Sequence, residues 1–141
     1  MPLPLPSGLA TPAARSRFAW AMLRVLLAGL IAAHGWARLL AGGVAPFGVF
    51  LDGQGFPGGF ILASLITGLE IVGSVALLLG RLVAPFCLVF AGIYVMGIVL
   101  VHAPAGWFVV GLGRNGAEYS VLLVACLLAV GLQHIRARGE G

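Results

Sequence analysis

Seven side chains in this sequence could do chemistry in a setting that should hold very little: His34, Arg38, Glu70, His102, Arg114, Asn115 and Glu118. Each lies inside or at the edge of a long apolar run. A carboxylate there must be protonated or must meet a cation, because an unpaired charge in an apolar medium costs several kcal/mol. Two histidines and two glutamates in such a slot could hold and pass protons and donate hydrogen bonds to a bound headgroup. In "GRNGAE" the Asn115 side chain could cap free N–H groups, Glu118 would sit favourably near a helix N-terminus, and Arg114 lies four residues before Glu118.

The elements that position these groups follow from composition. Of 141 residues, 61% are hydrophobic and 9% charged, whereas a soluble domain carries charge on about a quarter of its residues. The solvent that tolerates the deficit is lipid. Four apolar runs, at about 18–40, 59–79, 82–101 and 117–135, are each long enough to cross the roughly 30 Å of bilayer hydrocarbon as one helix. The fold class expected is all-α, an integral membrane bundle of four transmembrane helices over residues 18–135. A flexible N-terminal arm (1–17) and a short tail (136–141) complete the chain, which leaves no room for a soluble catalytic domain. Basic residues ahead of the first run would make it an uncleaved signal-anchor.

Polar residues within the runs form faces. On the first span Arg17, Arg24, His34 and Arg38 share an arc of roughly 100°, with Arg24 close enough to the end to snorkel to headgroups. On the second, Ser64, Thr67, Glu70 and Ser74 form a stripe within about 120°, and Gly68 and Gly73 beside Glu70 should allow close helix approach. Gly35, after His34, should do the same. Arg15, Arg17, Arg81, Arg136 and Arg138 fall on one side of a four-span topology and Arg38 and Arg114 on the other, which puts both termini in the cytoplasm. His34, Arg38, His102, Arg114, Asn115 and Glu118 then share the outer leaflet above Glu70, as the lining of one outward-opening pocket. The outer loops, 41–58 and 102–116, could cover it as a lid, with Trp107 as an interfacial anchor and "GWFVVGLG" short enough to be partly re-entrant. Cys87 and Cys126 show no metal-binding or redox spacing and read as small packing residues.

The order and spacing of "AAHGWARLL", "LEIVGSVALLLGR", a histidine ending the third span and "GRNGAEYSVLLVACLL" resemble the DoxX family of small four-helix bacterial membrane proteins, over about Leu23 to Leu132. The matching positions are His34 and Gly35, Glu70, Gly80 and Arg81, His102, and Gly116 with Glu118. The resemblance implies a role beside redox chemistry, since members are associated with thiosulfate:quinone oxidoreduction or with complexes that include antioxidant and sulfur-transfer enzymes. Many members have no defined activity.

Two readings stay open. In one, the chain is a quinone-facing subunit of, or partner to, a membrane redox complex, with no covalently bound cofactor, a quinone as the ligand and redox subunits as partners; whether the chain itself catalyses is open. In the other it is a non-enzymatic membrane protein that binds or moves a small amphipathic ligand or stabilises a partner complex. A metal or haem is chemically conceivable from two His and two Glu, but no H-x-x-x-H or E-x-x-H pair is present and no metal ligands are assigned. The basic charge is placed for a membrane surface, not for nucleic acid.

Overall fold

The computed structural model describes residues 6–135, and all regular structure among them is helical. The long elements are α1 (Pro12–Leu40), α2 (Val44–Gly53), α3 (Gly59–Leu78), α4 (Val83–Gly97) and a last helix, here α5 (Glu118–Gln133). Beyond α4 the chain continues as a π-helical segment, Ile98–His102, and one further turn, Ala103–Ala105. Three stretches are long and apolar enough to cross a membrane: α1 with 29 residues, α3 with 20 and Val83–Ala105 with 23. The last helix is apolar but has 16 residues, about 24 Å of axis. Four full-length spans are thus not what the helix lengths give.

Capping places the first boundary differently from hydropathy. Thr11 Oγ accepts from the Ala14 amide at 3.1 Å and Pro12 stands at the first helical position, where its missing N–H costs nothing. Residues 12–17 are therefore the first turns of α1, and Ser7–Leu9 form a short 3-10 turn, within the stretch 1–17 expected as an arm. Its first five residues, with Pro2 and Pro4, lie outside the described residues, as does the tail at 136–141 with Arg136 and Arg138.

The region from 41 to 58, expected as a loop, contains α2. Helix α2 packs along the start of α3, and two glycines make that possible: a Cβ on Gly48 would stand 2.7 Å from Phe60 Cα, and one on Gly59 would run into the Gly48 carbonyl. Asp52 closes the turn by accepting from the Gly59 amide at 2.9 Å, which satisfies a free donor at the start of α3.

The bundle consists of two tightly packed pairs, α1 with α3 and α4 with α5, joined by smaller α3–α4 and α1–α5 contacts. Their shared core includes Leu27, Ile31, Leu77, Phe90, Leu127 and Val130. Cys87 is buried in that core and Cys126 packs against it, both as free thiols. Most large apolar side chains on the outside are exposed, among them Leu40, Ile61, Leu88, Leu122 and Leu132. That oily outer surface is what a helix bundle presents to lipid.

Candidate functional site

Glu70 stands near the middle of α3 with only 1% of its side chain exposed, and Arg38 of α1 donates to its Oε2 at 2.6 Å. The cation demanded by a carboxylate at this depth is therefore Arg38, not a histidine. The reach follows from the packing of α1 on α3. A Cβ on Gly35 would lie 3.0 Å from Glu70 Cβ, so Gly35 and Glu70 are level, and Arg38, three residues on, comes down over the carboxylate by less than one turn of helix, about 5 Å.

The guanidinium is held from three sides. It donates to Thr67 Oγ at 3.2 Å, pairs with Glu70, and lies over the Phe47 ring of α2 with its central carbon 4.6 Å from the ring centre. Such cation–π contacts contribute about 0.5–2 kcal/mol, more where water is excluded. The second oxygen of Glu70 accepts from the Tyr94 hydroxyl of α4 at 3.2 Å. Tyr94 in turn meets the His34 ring edge-on at 5.9 Å between centroids. The sequence thus leads from a buried ion pair through a phenol to an imidazole, and the His34 residue is exposed at the outside of the bundle. Helices α1, α2, α3 and α4 each contribute.

The polar stripe of α3 divides on folding. Thr67, Glu70 and Ser74 are buried, whereas Ser64 is exposed, and all three hydroxyls donate to carbonyls of their own helix. Of the two glycines beside Glu70, Gly73 is closely approached, with Phe90 Cζ 2.6 Å from where a Cβ would stand; Gly68 faces open space. Arg24 does not snorkel outward: its Nη1 donates to the Leu77 carbonyl and, at 3.0 Å, to that of Leu78, so it caps the C-terminus of α3.

His102, Arg114, Asn115 and Glu118 form a different arrangement. Pro104 removes a donor and crowds the carbonyl four residues back, and the hydrogen-bond ladder widens into the π segment that ends at His102. His102 Nδ1 lies 2.8 Å from the Asn115 carbonyl, and Glu118 Oε1 accepts from the Val109 amide at 3.0 Å. The intervening chain folds back on itself, with the amides of Gly116, Ala117 and Glu118 donating to the carbonyls of Phe108, Gly106 and Trp107. A Cβ on Gly116 would collide with the Trp107 backbone.

Three expectations about this loop change. The N-cap position of α5 is Ala117, without a side-chain cap, and Asn115 instead occupies the left-handed region at φ 60°, which asparagine tolerates better than most residues. Helix α5 begins at Glu118, so Arg114 precedes it, is exposed, and shares no helical face with Glu118. The only ion pair among the described residues is Arg38–Glu70. Glu118 does lie in the first turn of α5, where its charge complements the helix N-terminus. The structure thus gathers His34, Arg38 and Glu70 in one network and His102, Asn115 and Glu118 in another, and no hydrogen bond among the described residues links the two.

Sequence reasoning missed Tyr94 and Phe47. The signal for Tyr94 was its hydroxyl, one of two tyrosines in the chain, set inside an apolar run where a phenol needs a partner. Phe47 carried no such signal, since nothing in its neighbourhood shows that α2 exists.

The family described as DoxX matches residues 19–103, more than half of the chain. The chain belongs to the DoxX family. No curated protein and no solved structure matches it. The region shared with DoxX proteins contains His34, Arg38, Thr67, Glu70, Tyr94 and His102 but ends before Arg114, Asn115 and Glu118, so the resemblance drawn as far as Leu132 is supported only to residue 103. In this DoxX chain the buried Arg38–Glu70 network, as the one that falls wholly within the family region, is the candidate functional site. Two cavities lie elsewhere in the bundle. One, of about 220 Å³, is lined by Arg17, Trp20, Arg24 and His134 among others, and the other, of about 650 Å³, is an apolar groove between α4 and α5.

Proposed function

We propose that this DoxX protein is a subunit of, or partner to, a membrane redox complex in the bacterial inner membrane, crossing it four times with both termini in the cytoplasm. The observation that carries the reading is the chain of contacts from the buried Arg38–Glu70 pair through the Tyr94 hydroxyl to the exposed His34, whose ring meets that of Tyr94 edge-on at 5.9 Å between centroids. A bundle that needed only an interhelical contact would have no reason to bury a carboxylate and a guanidinium, since apolar packing holds helices together at less cost. A path of this kind lets the headgroup of a quinone meet a hydrogen-bond donor at the outside of the bundle while the buried end is fixed by charge. His34 and Tyr94 are the contact residues in this reading, and Arg38 and Glu70 are positioning residues. The chemistry of electron transfer is supplied by partner subunits.

The test uses the purified chain in lipid nanodiscs, titrated with a short-chain quinone. Saturable binding is expected, weakened about two- to tenfold by His34→Ala or Tyr94→Phe, the range for loss of one hydrogen bond. No uptake of quinone by the wild type, together with no oxidoreductase subunit accompanying the tagged chain from membranes, sinks the reading.

One observation favours the second reading. Among the described residues every buried side-chain polar atom has a partner, so the Arg38–Glu70–Tyr94 network is complete without a ligand. A protein that stabilises a partner complex, or that holds a small amphipathic molecule elsewhere on its surface, needs only such a rigid network. Unchanged quinone binding in both variants supports this alternative.

A further inference from the structure

At the other end of the bundle, where α1 begins and α5 ends, a cavity of about 220 Å³ is lined by Ser16, Arg17, Trp20, Ala21 and Arg24 of α1, by Gln133 at the end of α5 and by His134 just after it. Residues 17, 20, 21 and 24 follow the i, i+3, i+4, i+7 spacing that puts them on one helix face. Among the described residues the charge there is one-sided. Asp52, Glu70 and Glu118, the carboxylates of the described residues, are engaged elsewhere by Gly59, Arg38 and Val109. Arg24 spends Nη1 on the carbonyls at the end of α3, which fixes the guanidinium at the cavity wall and leaves its other N–H groups without a protein acceptor among the described residues. Arg17 makes no hydrogen bond or ion pair among those residues. His134 anchors its Nδ1 at 2.8 Å from the Val130 carbonyl, so its other ring nitrogen is the one free to meet a ligand.

We propose that this cavity binds a phosphate group at the membrane–water boundary, and that its source is the headgroup of an anionic lipid. Size, chemistry and position agree. The volume is below the roughly 300–1,000 Å³ of sites for drug-sized ligands, but is several times the roughly 30 Å³ share of a water molecule. Planar guanidinium groups match the oxygens of a phosphate. Trp20, half-buried at the rim, is the residue type that settles at headgroup level. Arg24 then serves two purposes, closing α3 with one nitrogen and facing the anion with the rest.

The test places Trp20 as the only tryptophan, through Trp36→Phe and Trp107→Phe, and follows its fluorescence in neutral detergent micelles. Phosphatidylglycerol, phosphatidylcholine and inorganic phosphate are titrated separately. Arg17→Gln removes a cavity charge without disturbing α3. Arg15→Gln removes an equal charge that instead donates to the carbonyls of Leu9 and Ala10 and lies outside the cavity lining. The expected result is a saturable response to phosphatidylglycerol that is weakened about tenfold or more by Arg17→Gln, the loss of a hydrogen bond between charged groups, and at most about fivefold by Arg15→Gln, the diffuse contribution of one basic residue near an anionic surface. A weaker response to phosphatidylcholine and to inorganic phosphate identifies the lipid as the source. A response to inorganic phosphate at the same or lower concentration upholds the phosphate site but overturns the lipid as its source. No response to either anion, or equal weakening by Arg15→Gln and Arg17→Gln, overturns the site, because the attraction is then diffuse surface charge.

Discussion

Of the two partners in the buried pair, Glu70 has fewer alternatives: its side chain is 1% exposed, against 20% for Arg38. Arg38 can still find partners at the edge of the bundle, over Phe47 and on Thr67. Loss of Glu70 leaves the Tyr94 hydroxyl without its acceptor. In Glu70→Gln an amide oxygen remains to accept from Arg38 or Tyr94, whereas Glu70→Leu strands the Tyr94 hydroxyl, at about 1–3 kcal/mol for a buried group left unsatisfied, and leaves Arg38 with Thr67 and Phe47 alone. The thermal midpoint in detergent is therefore expected to fall in the order wild type, Glu70→Gln, Glu70→Leu, with several degrees between the two variants. A Leu variant as stable as the wild type would show that the pair is dispensable to the fold.

At the scale of the element, α2 is the piece most dependent on backbone contact. It touches α3 through Gly48 and Gly59, and it carries the ring beneath Arg38. A methyl group at Gly59 meets the Gly48 carbonyl and the Asp52 backbone, both parts of a folded helix that cannot swing aside. Gly59→Ala should cost about 1–3 kcal/mol, as overpacking does, and should loosen Arg38 by shifting Phe47. Gly68 faces open space on the same helix, so Gly68→Ala should be neutral or should stabilise by up to about 1 kcal/mol through helix propensity. Thermal melts of the two variants side by side check the contrast, and equal destabilisation by both would mean that helix α3 tolerates no added methyl at all.

In the whole molecule the 16 residues of α5 stand beside three longer apolar helices. About 24 Å of helix is a few ångströms short of the hydrocarbon layer, a mismatch that a membrane accommodates by local thinning. If α5 does cross, the start of α1 and the end of α5 lie on one side and the α2–α3 turn on the other. Arg38, one of the two arginines that spoke against cytoplasmic termini, is consumed inside the bundle by Glu70, so it is less a loop charge than it looked. In a background with Cys87→Ala and Cys126→Ala, a thiol at Ser7→Cys is expected to resist an impermeant reagent added to intact cells, and one at Gln54→Cys to react. Labelling of Ser7→Cys from outside would invert the topology.

The sequence by itself determined the class of the protein and the need for either a proton or a partner on the carboxylate in its middle. Twenty-residue apolar runs with few charges leave the backbone no choice but helix in lipid, and a glutamate in the centre of such a run must be protonated or paired. It also carried the Thr-Pro start of α1, six residues before the hydropathy rises, which a reading by hydropathy alone passes over. Which cation meets Glu70 was decided only by tertiary structure, because His34, Arg38 and His102 were all chemically adequate and helix register chooses among them: Gly35 lies level with Glu70, and Arg38 hangs over it. The separation of Glu118 from that network had the same origin. Spacing along the chain places groups at an end of the bundle, but the backbone amide of Val109, displayed only once the loop folds back, is what takes up its carboxylate.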